Sequence, residues 1–298
     1  MEMAEANHSF SGFVELKDRT LLQFSGADRL RYLNGQVTND VSKASLSEAI
    51  YACVTDAKGK LQADIFIREL PGEIYLVDAA PDVRETLAMR LDRYIIADDV
   101  ELEDVTENYV VFHMSEGDIP EIESATWTGT CTRFGNTGTD LIVPAADADS
   151  IRGRLTDSLG SADPQDIEVA RIKNGFPAWG KELVEGMLPP EAQIEERAIN
   201  YEKGCYIGQE VISRIKSVGR VNRLLCRLKT VEGNASEGAL LFTEDAEGER
   251  KQIGEITSTT GSGSSQFSLG YVKRDYAAPG TELVSDKDGE PLSVKVLG

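Results

Sequence analysis

The chain has few of the residues on which metal and disulfide chemistry depends. Only two histidines, His8 and His113, occur in 298 residues. The four cysteines, Cys53, Cys131, Cys205 and Cys226, are widely spaced, with no CxxC and no Cys/His pair at ligand spacing. That argues against a structural zinc site and against a disulfide scaffold, so no metal site is expected and a reducing cytoplasm is the simplest setting. No apolar run approaches the ~20 residues of a membrane span. Met1 to Ser9 carries two acids and no Lys or Arg, unlike a secretory signal. Basic residues are scarce as well: 31 Lys and Arg stand against 51 acids, a net charge of −20. Such a surface disfavours general nucleic-acid binding, DNA included, and favours solubility. A hydrophobic content of 41% with 28% charged residues describes an ordinary globular chain, long enough for two or three domains.

Against that background one octet concentrates unusual residues: Lys203-Gly204-Cys205-Tyr206-Ile207-Gly208-Gln209-Glu210. Two glycines flank a single cysteine, a lysine precedes it and a Gln-Glu pair follows. Val211, Ile212, Ile215 and Val218 then form a helical stripe, and Gly219 sits where a helix-ending glycine belongs. The octet therefore predicts a tight loop feeding a helix N-terminus. A thiol there, with Lys203 close by, is expected to have a lowered pKa and more thiolate at neutral pH. The bland alternative is a small buried hydrophobe in a glycine turn. From Lys203 to Lys229 seven basic residues face one acid, Glu210, a local charge of +6. A basic island suits an anionic ligand or a local RNA contact. Equally it suits a solvated helix face with cations at the helix C-terminus.

The rest of the chain reads as mixed strands and helices. Phe10 to Phe24 predicts one or two strands around the turn Lys17-Asp18-Arg19. Ser25 and Asp28 occupy capping-box positions of a short helix that Gly35 ends. Gln36 to Asp40 is a polar loop. Ala49–Thr55 and Leu61–Arg68 make a hairpin around Asp56-Ala57-Lys58-Gly59. Asp64, an acid between apolar neighbours, is either outward-facing or a buried ligand-binding carboxylate. After a strand at Glu73–Asp78, Pro81 opens a helix with Val83, Leu87, Leu91 and Tyr94 on one face. Strands follow at Tyr109–Met114, Thr126–Phe134 and Asp140–Val143, the last two separated by the turn Gly135-Asn136-Thr137-Gly138. Helices follow at Ala145–Leu159 and from Pro164 to Asn174-Gly175. Gly180 to Asn200 is an irregular connection crossing the ligand site. Beyond Gly219, short β runs with Gly, Ser and Asp turns, among them Gly261–Ser265 and Asp286–Gly289, predict a small antiparallel barrel. The expected class is α+β. Residues 1–220 form an α+β region with two sub-portions, roughly 1–45 with 145–220, and 46–144. Residues 221–298 form the C-terminal β-barrel.

Several segments together resemble the YgfZ/glycine-cleavage T-protein family of folate-binding proteins, and within it the YgfZ branch that includes mitochondrial iron–sulfur assembly factors. They are Ser25–Asp28 with Tyr32–Asp40, Asp56–Lys60, Arg171–Pro177, Leu188–Glu191, the Lys203–Glu210 octet with Arg214, Gly254–Ser258 and Leu269–Val272. The octet is the specific signal. The resemblance implies a T-protein-like fold around a tetrahydrofolate site. It also implies a role in assembling or repairing iron–sulfur clusters of client proteins, and through them in tRNA modification. It maps the family's distinctive thiol onto Cys205. Asn39, Asp40 and Asp64 are candidates to hold the pterin, and the basic island to receive the glutamate tail. Lys203, Tyr206, Gln209, Glu210 and Arg214 complete the candidate site. T-proteins carry paired aspartates where this chain has Ala63-Asp64, and an Arg-Leu-Glu-Ala-Gly stretch where it has Arg171-Ile172-Lys173-Asn174-Gly175. A lysine offers a pterin no hydrogen-bond acceptor. An accessory factor is therefore expected ahead of a folate-dependent one-carbon transferase (aminomethyl or methyl), with a non-catalytic RNA- or protein-binding module as third alternative.

Overall fold

In the computed structural model, which describes residues 8–117, 119–244, 249–287 and 290–297, two β-sheets face each other and a β-barrel closes one end. The first sheet runs in the order β3 (Ile50–Thr55), β4 (Leu61–Leu70), β5 (Ile74–Ala79), β2 (Thr20–Ser25), β6 (Glu101–Asp104). The second runs β1 (Phe13–Leu16), β7 (Tyr109–Met114), β9 (Asn136–Pro144), β8 (Trp127–Arg133). All pairings in both sheets are antiparallel. Helices α1 (Arg29–Gln36) and α2 (Arg84–Asp92) cover the outer face of the first sheet, where Leu33, Leu87 and Leu91 meet Ala52, Val54, Ile65 and Val77. Helix α3 (Ala148–Leu159) covers the second through Ile151 and Leu155 against Phe13, Phe112 and Leu141. Helix α4 (Pro164–Lys173), the short α5 (Glu195–Ala198) and α6 (Gln209–Ser217) lead to the barrel.

The barrel is closed and antiparallel, in the order β10 (Arg223–Glu232), β13 (Phe267–Lys273), β12 (Arg250–Thr260), β11 (Leu240–Glu244), β14 (Glu282–Lys287), β15 (Glu290–Val296). Closure removes free edges, and Leu228, Leu241, Ile253, Ile256, Val272 and Val294 fill the interior. A buried polar knot fastens it to the rest. Glu182 accepts from Arg171 Nη1 (2.8 Å), Ser258 Oγ (2.6 Å) and Thr257 Oγ1 (2.9 Å), so α4 and β12 share one carboxylate.

Several details depart from the expectations above. The strands do not sort by the boundaries 1–45 and 46–144. The turn at Lys17–Arg19 carries the chain from one sheet to the other, because Phe13 packs on Phe112 while Leu22 and Phe24 belong to the α1/α2 core. Ser25 ends β2 and caps nothing; Asp28 is the N-cap position before α1, and its carboxylate accepts from Asp99 N (3.0 Å) instead of capping the helix. Helix α1 runs through Gly35 to Gln36. Tyr94 lies past the end of α2 and is 40% exposed. The second-sheet hairpin turns on Phe134 and Gly135, both at positive φ, and Asn136–Gly138 belong to β9. Gly138 is needed inside that strand: a Cβ there would lie 2.4 Å from the Met114 carbonyl oxygen and 2.7 Å from the His113 ring. Met1–Asn7 and the tip Asp288-Gly289, on which two expectations fell, lie outside the described residues.

Between the two sheets sits a buried cluster of charges. Asp64, Phe66 and Arg68 share one face of β4 by strand alternation, and Asp78 is the cross-strand partner of Phe66. From the opposite sheet come His113, Arg133 and Asp140. Arg133 Nε donates to both Asp140 carboxylate oxygens (3.0 Å each), and its Nη2 bonds Asp78. Arg68 Nη2 donates to Asp140 (3.0 Å) and Asp78 (3.3 Å), and His113 Nδ1 meets Asp140 at 2.8 Å. Arg19 Nε closes the cluster on Asp78 (2.5 Å). Burial alone would raise both carboxyls. Arg133, Arg19 and Arg68 instead hold Asp78 down at about 2, and Arg133, His113 and Arg68 hold Asp140 well below the ordinary 3.8. Carboxyls depressed in this way stabilise the fold above about pH 4, and the contribution is lost as pH falls towards their native-state values. Asp140→Asn leaves Arg68 and Arg133 with one anion between them and should cost about 3–5 kcal/mol. It should also flatten the acid limb of a stability–pH curve. Urea unfolding between pH 3 and 7 checks this; wild-type midpoints in the variant would mean the cluster contributes nothing.

Candidate functional site

The octet is held by its neighbours more than it is poised for attack. Lys203 Nζ donates to three backbone carbonyls of the 34–40 segment: Asn34 (2.8 Å), Val37 (2.9 Å) and Asn39 (2.5 Å). Burial pushes this ammonium down to about 8 while Asp40 pulls the other way. Gly208 adopts φ 93° at the head of α6, where a Cβ would lie 2.6 Å from the Asp56 carbonyl oxygen and the Thr55 hydroxyl. Gly59 in turn lies against Val211 and Ile212. Thr55 Oγ1 donates to the Ile207 carbonyl (2.6 Å), and Ile207 N to Gly35 O (3.2 Å). Thus the three motif segments, 34–40, 55–60 and 203–212, pack into one knot around the lysine.

Cys205 is exposed, whereas Cys53, Cys131 and Cys226 are buried. The sequence sets a helix N-terminus and a lysine near Cys205. Helix α6 begins at Gln209, four residues later, and the Lys203 ammonium is taken up by carbonyls. Tyr206 is buried under that ammonium, 5.4 Å from ring centre to Nζ. Gln209 is half-buried and Glu210 exposed at the start of α6. Val218 is 82% exposed beyond the helix end, and Gly219 packs on Ile215 without a left-handed conformation. The basic island also divides. Lys203 is consumed as described, Arg223 pairs with Glu191 (2.8 Å) and Arg227 donates to Lys173 O (3.1 Å). Arg214, Lys216 and Arg220 stay exposed without an ion pair among the described residues, Lys216 lying over Tyr201 at 5.1 Å.

A concave site lies where the two sheets, α4 and the 176–179 segment meet. A cavity of about 440 Å³ is lined by Asp64, Phe66, Phe176, Trp179, Arg19 and Arg133, among others. Asp64 is half-buried and accepts from Tyr51 OH (3.0 Å). Burial raises its carboxyl above the ordinary value, with Arg19 and Tyr51 opposing. A second cavity, about 230 Å³, adjoins at Phe176 and is lined by Asn39, Glu48, Tyr51, Thr132 and Arg197. Tyr51 and Phe176 stand between the two, their rings 5.5 Å apart. Asn39 connects this wall to the thiol loop: its Nδ2 donates to Tyr51 O (2.8 Å) and Arg197 O (3.2 Å), while its own carbonyl receives Lys203. Asp40 is not part of either lining. Its carboxylate accepts from Ser42 Oγ (2.7 Å) and N (3.1 Å), capping the turn Val41–Lys43, and the Ser42 hydroxyl holds its pKa down. So Asp64 and Asn39 border cavities, while Lys203, Cys205, Tyr206, Gln209, Glu210 and Arg214 belong to the knot and its outer face. Sequence reasoning passed over Arg19, Arg133, Tyr51, Trp179 and Arg197. Only the placement of Arg133 beside a turn, and of Phe176 in the Asn-Gly-Phe-Pro stretch, hinted at a site. If Lys203 anchors the knot, Lys203→Met orphans buried carbonyls, at about 1–3 kcal/mol for the first. The expected result is a lower thermal midpoint and faster amide exchange confined to residues 34–40; unchanged exchange there would remove the lysine's anchoring role.

Comparison with known proteins places these features. No family model matches the chain. Over 246 residues it is 26% identical to the mitochondrial iron–sulfur cluster assembly factor IBA57 homolog of Neurospora crassa, covering 76% of this chain and 56% of that protein. The chain thus spans little more than half of that relative's length. It is 26% identical over 300 residues to the tRNA-modifying protein YgfZ of an Escherichia coli strain, covering 94% of this chain and 87% of the relative. The crystal structure of the glycine cleavage system aminomethyltransferase T from Bartonella henselae superposes with a TM-score of 0.81 over 98% of this chain and 86% of its own, at 16% identity, and so shares the fold. In sequence along most of its length and in fold along nearly all of it, the chain resembles the YgfZ/glycine-cleavage T-protein family, on the side of the YgfZ and IBA57 proteins.

Proposed function

We propose that the chain is a tetrahydrofolate-binding accessory protein that supports iron–sulfur cluster assembly or repair in client proteins, and through them tRNA modification, in the cytoplasm. The observation that carries this is the Asp64 cavity. A pterin presents a flat heterocycle with adjacent N–H donors, which needs an acceptor at the end of an aromatic slot. Asp64 supplies the acceptor, and Phe66, Phe176 and Trp179 supply the walls. A volume near 440 Å³ lies within the range of small-molecule sites. The sequence similarity to the IBA57 homolog and YgfZ supports the iron–sulfur and tRNA side of the reading.

An accessory role is favoured over one-carbon transfer because the residue beside Asp64 on β4 is not a second aspartate, and Asp82, the other acid of the lining, accepts from Trp179 Nε1 (2.9 Å). Ala63 is buried in the core on the opposite face of β4. Lys173 places its ammonium over the Phe267 ring (5.0 Å) and offers no acceptor. Cys205 is the accessible thiol in the knot and the candidate nucleophile or sulfur acceptor. A second reading, contact with RNA, is favoured by Arg214, Lys216 and Arg220, which remain exposed without ion pairs among the described residues.

Calorimetric titration of the full chain with tetrahydrofolate tests the site. Asp64→Asn should weaken binding by about tenfold or more, the scale of one charge-assisted hydrogen bond. Because burial raises the Asp64 carboxyl, wild-type affinity should fall with decreasing pH sooner than an ordinary carboxyl allows, and the variant should lack that limb. Equal affinity of variant and wild type would dismiss Asp64 as the pterin acceptor. In cells lacking the protein, Cys205→Ser should restore an iron–sulfur-dependent enzyme activity severalfold less well than wild type. Full restoration would take the thiol out of the mechanism.

A further inference from the structure

One hydrogen bond crosses the rim of the cavity that Asp64 ends. Trp179 Nε1 donates to Asp82 Oδ2 (2.9 Å), and both residues belong to the lining. Asp82 is exposed, in the 3₁₀ turn Pro81–Val83 that leads into α2. Trp179 is half-buried and packs against two cores at once, that of α1 and α2 on the first sheet and that of α6 and the barrel. The ring and its bond thus join the two sides of the cavity. The loop that carries Trp179 is held firmly. The N–H groups of Lys181, Glu182 and Leu183 reach Ala178 O (3.2, 3.0 and 3.0 Å), and Gly180 N reaches Leu183 O (2.8 Å). Ala178 N donates to the Glu182 carboxylate (3.0 Å), which also fastens the barrel. Pro177 fixes its own φ just before. The bond to Asp82 has no such protection, because its acceptor faces solvent and water competes for it. Gly180 stands at φ 81°, and a Cβ there would meet nothing within 4 Å. Space is therefore open beside the indole, and the side chain can turn while its loop stays in place.

We propose that the Trp179 side chain is a gate on the Asp64 cavity, latched by Asp82. A ligand enters and leaves when the bond opens and the indole swings out. The closed indole then forms one wall of the occupied slot. The inference rests on reading this cavity as a ligand site and adds how it opens. A gate of this kind acts on rates. A hydrogen bond made in the closed state, both empty and occupied, cancels from the affinity but opposes opening in each. Its loss speeds entry and exit together.

Two measurements on the full chain test this: acrylamide quenching of tryptophan emission without ligand, and stopped-flow mixing with tetrahydrofolate. Trp127, the other of the two tryptophans, is buried, so the quencher reports on Trp179. Asp82→Ala should make the accessible tryptophan easier to quench. It should also raise the association and dissociation rates by a common factor of about threefold to tenfold, the scale of one hydrogen bond to a carboxylate, with Kd within about twofold of wild type. Asp82→Asn keeps an acceptor and should return most of the wild-type behaviour. Melting curves confirm that both variants are folded. Unchanged rates in Asp82→Ala overturn the gate and place entry at the adjoining opening, where Leu16, Arg19 and Pro81 also line a cavity of about 410 Å³. Faster dissociation without faster association overturns it too, by making Asp82 a ligand contact. If tetrahydrofolate does not bind at all, the folate reading falls, and quenching alone decides the latch: wild-type quenching in Asp82→Ala overturns it.

Discussion

The two facing sheets can close only because their buried charges neutralise one another. Arg68 and Asp78 come from one sheet, Arg133, Asp140 and His113 from the other, and all lie at or near zero exposure. An isolated charge at that depth would cost several kcal/mol in lost hydration even after relaxation, so each must find its partner across the gap. Apolar residues tolerate sliding; guanidinium–carboxylate pairs at 2.8 to 3.3 Å do not. The cluster therefore fixes the register between sheets as well as contributing to stability. It also shapes the cavity, because Arg19 and Arg133 belong to both. The Arg133 guanidinium lies over Phe66, 4.1 Å from its ring centre, and so positions one aromatic wall of the slot that Asp64 ends.

A second constraint works at the other end of the same strands. The Lys203 ammonium satisfies three carbonyls at the end of α1 and in the loop that follows it. Glycines at 59 and 208 let the hairpin turn and the head of α6 touch backbone to backbone. The segments that carry the family resemblance are thus recognisable because they build one joint. Chemistry at Cys205 would act from a rigid mount at the outer face of that joint. Asn39, which spans the joint and the wall of the smaller cavity, gives the two regions a shared hydrogen-bonded part.

Much of the architecture is legible in the sequence. The hairpins, α3, α4 with its Asn-Gly stop, and the closed barrel all follow from local periodicity and turn chemistry, which act within a few residues. What local signals do not carry is which sheet a strand joins. The turn at Lys17–Arg19 looks like an ordinary hairpin, yet the chain changes sheets there because Phe13 and Phe24 belong to different cores. The charged cluster was hidden for the same reason: Asp78, His113 and Asp140 each stand alone in an apolar strand, and only the fold brings them together. The basic island departs in the opposite sense. Its seven cations are neighbours in sequence, but Lys203 points into the knot, Arg223 to Glu191 and Arg227 to α4, so proximity along the chain overstated the charge at any one place.

The site's electrostatics argue for holding a ligand rather than reshaping it. A group-transfer site needs a carboxylate ready to take up developing positive charge and a second group to manage the proton. Asp64 has Tyr51 as its hydrogen-bond donor, a carboxyl raised by burial and Arg19 nearby, which suits accepting neutral N–H donors. The guanidinium groups around it are committed: Arg133 to two aspartates, Arg19 to Asp78, Arg171 to Glu168 and Glu182. A committed cation is a poor proton donor and a good fixed dipole. On the proposed reading the cavity is preorganised for recognition, and the exposed thiol outside it is the candidate for any reactivity. On that same reading, a ligand held on one side of the joint and a thiol carried on the other suit a protein that presents a cofactor to a client.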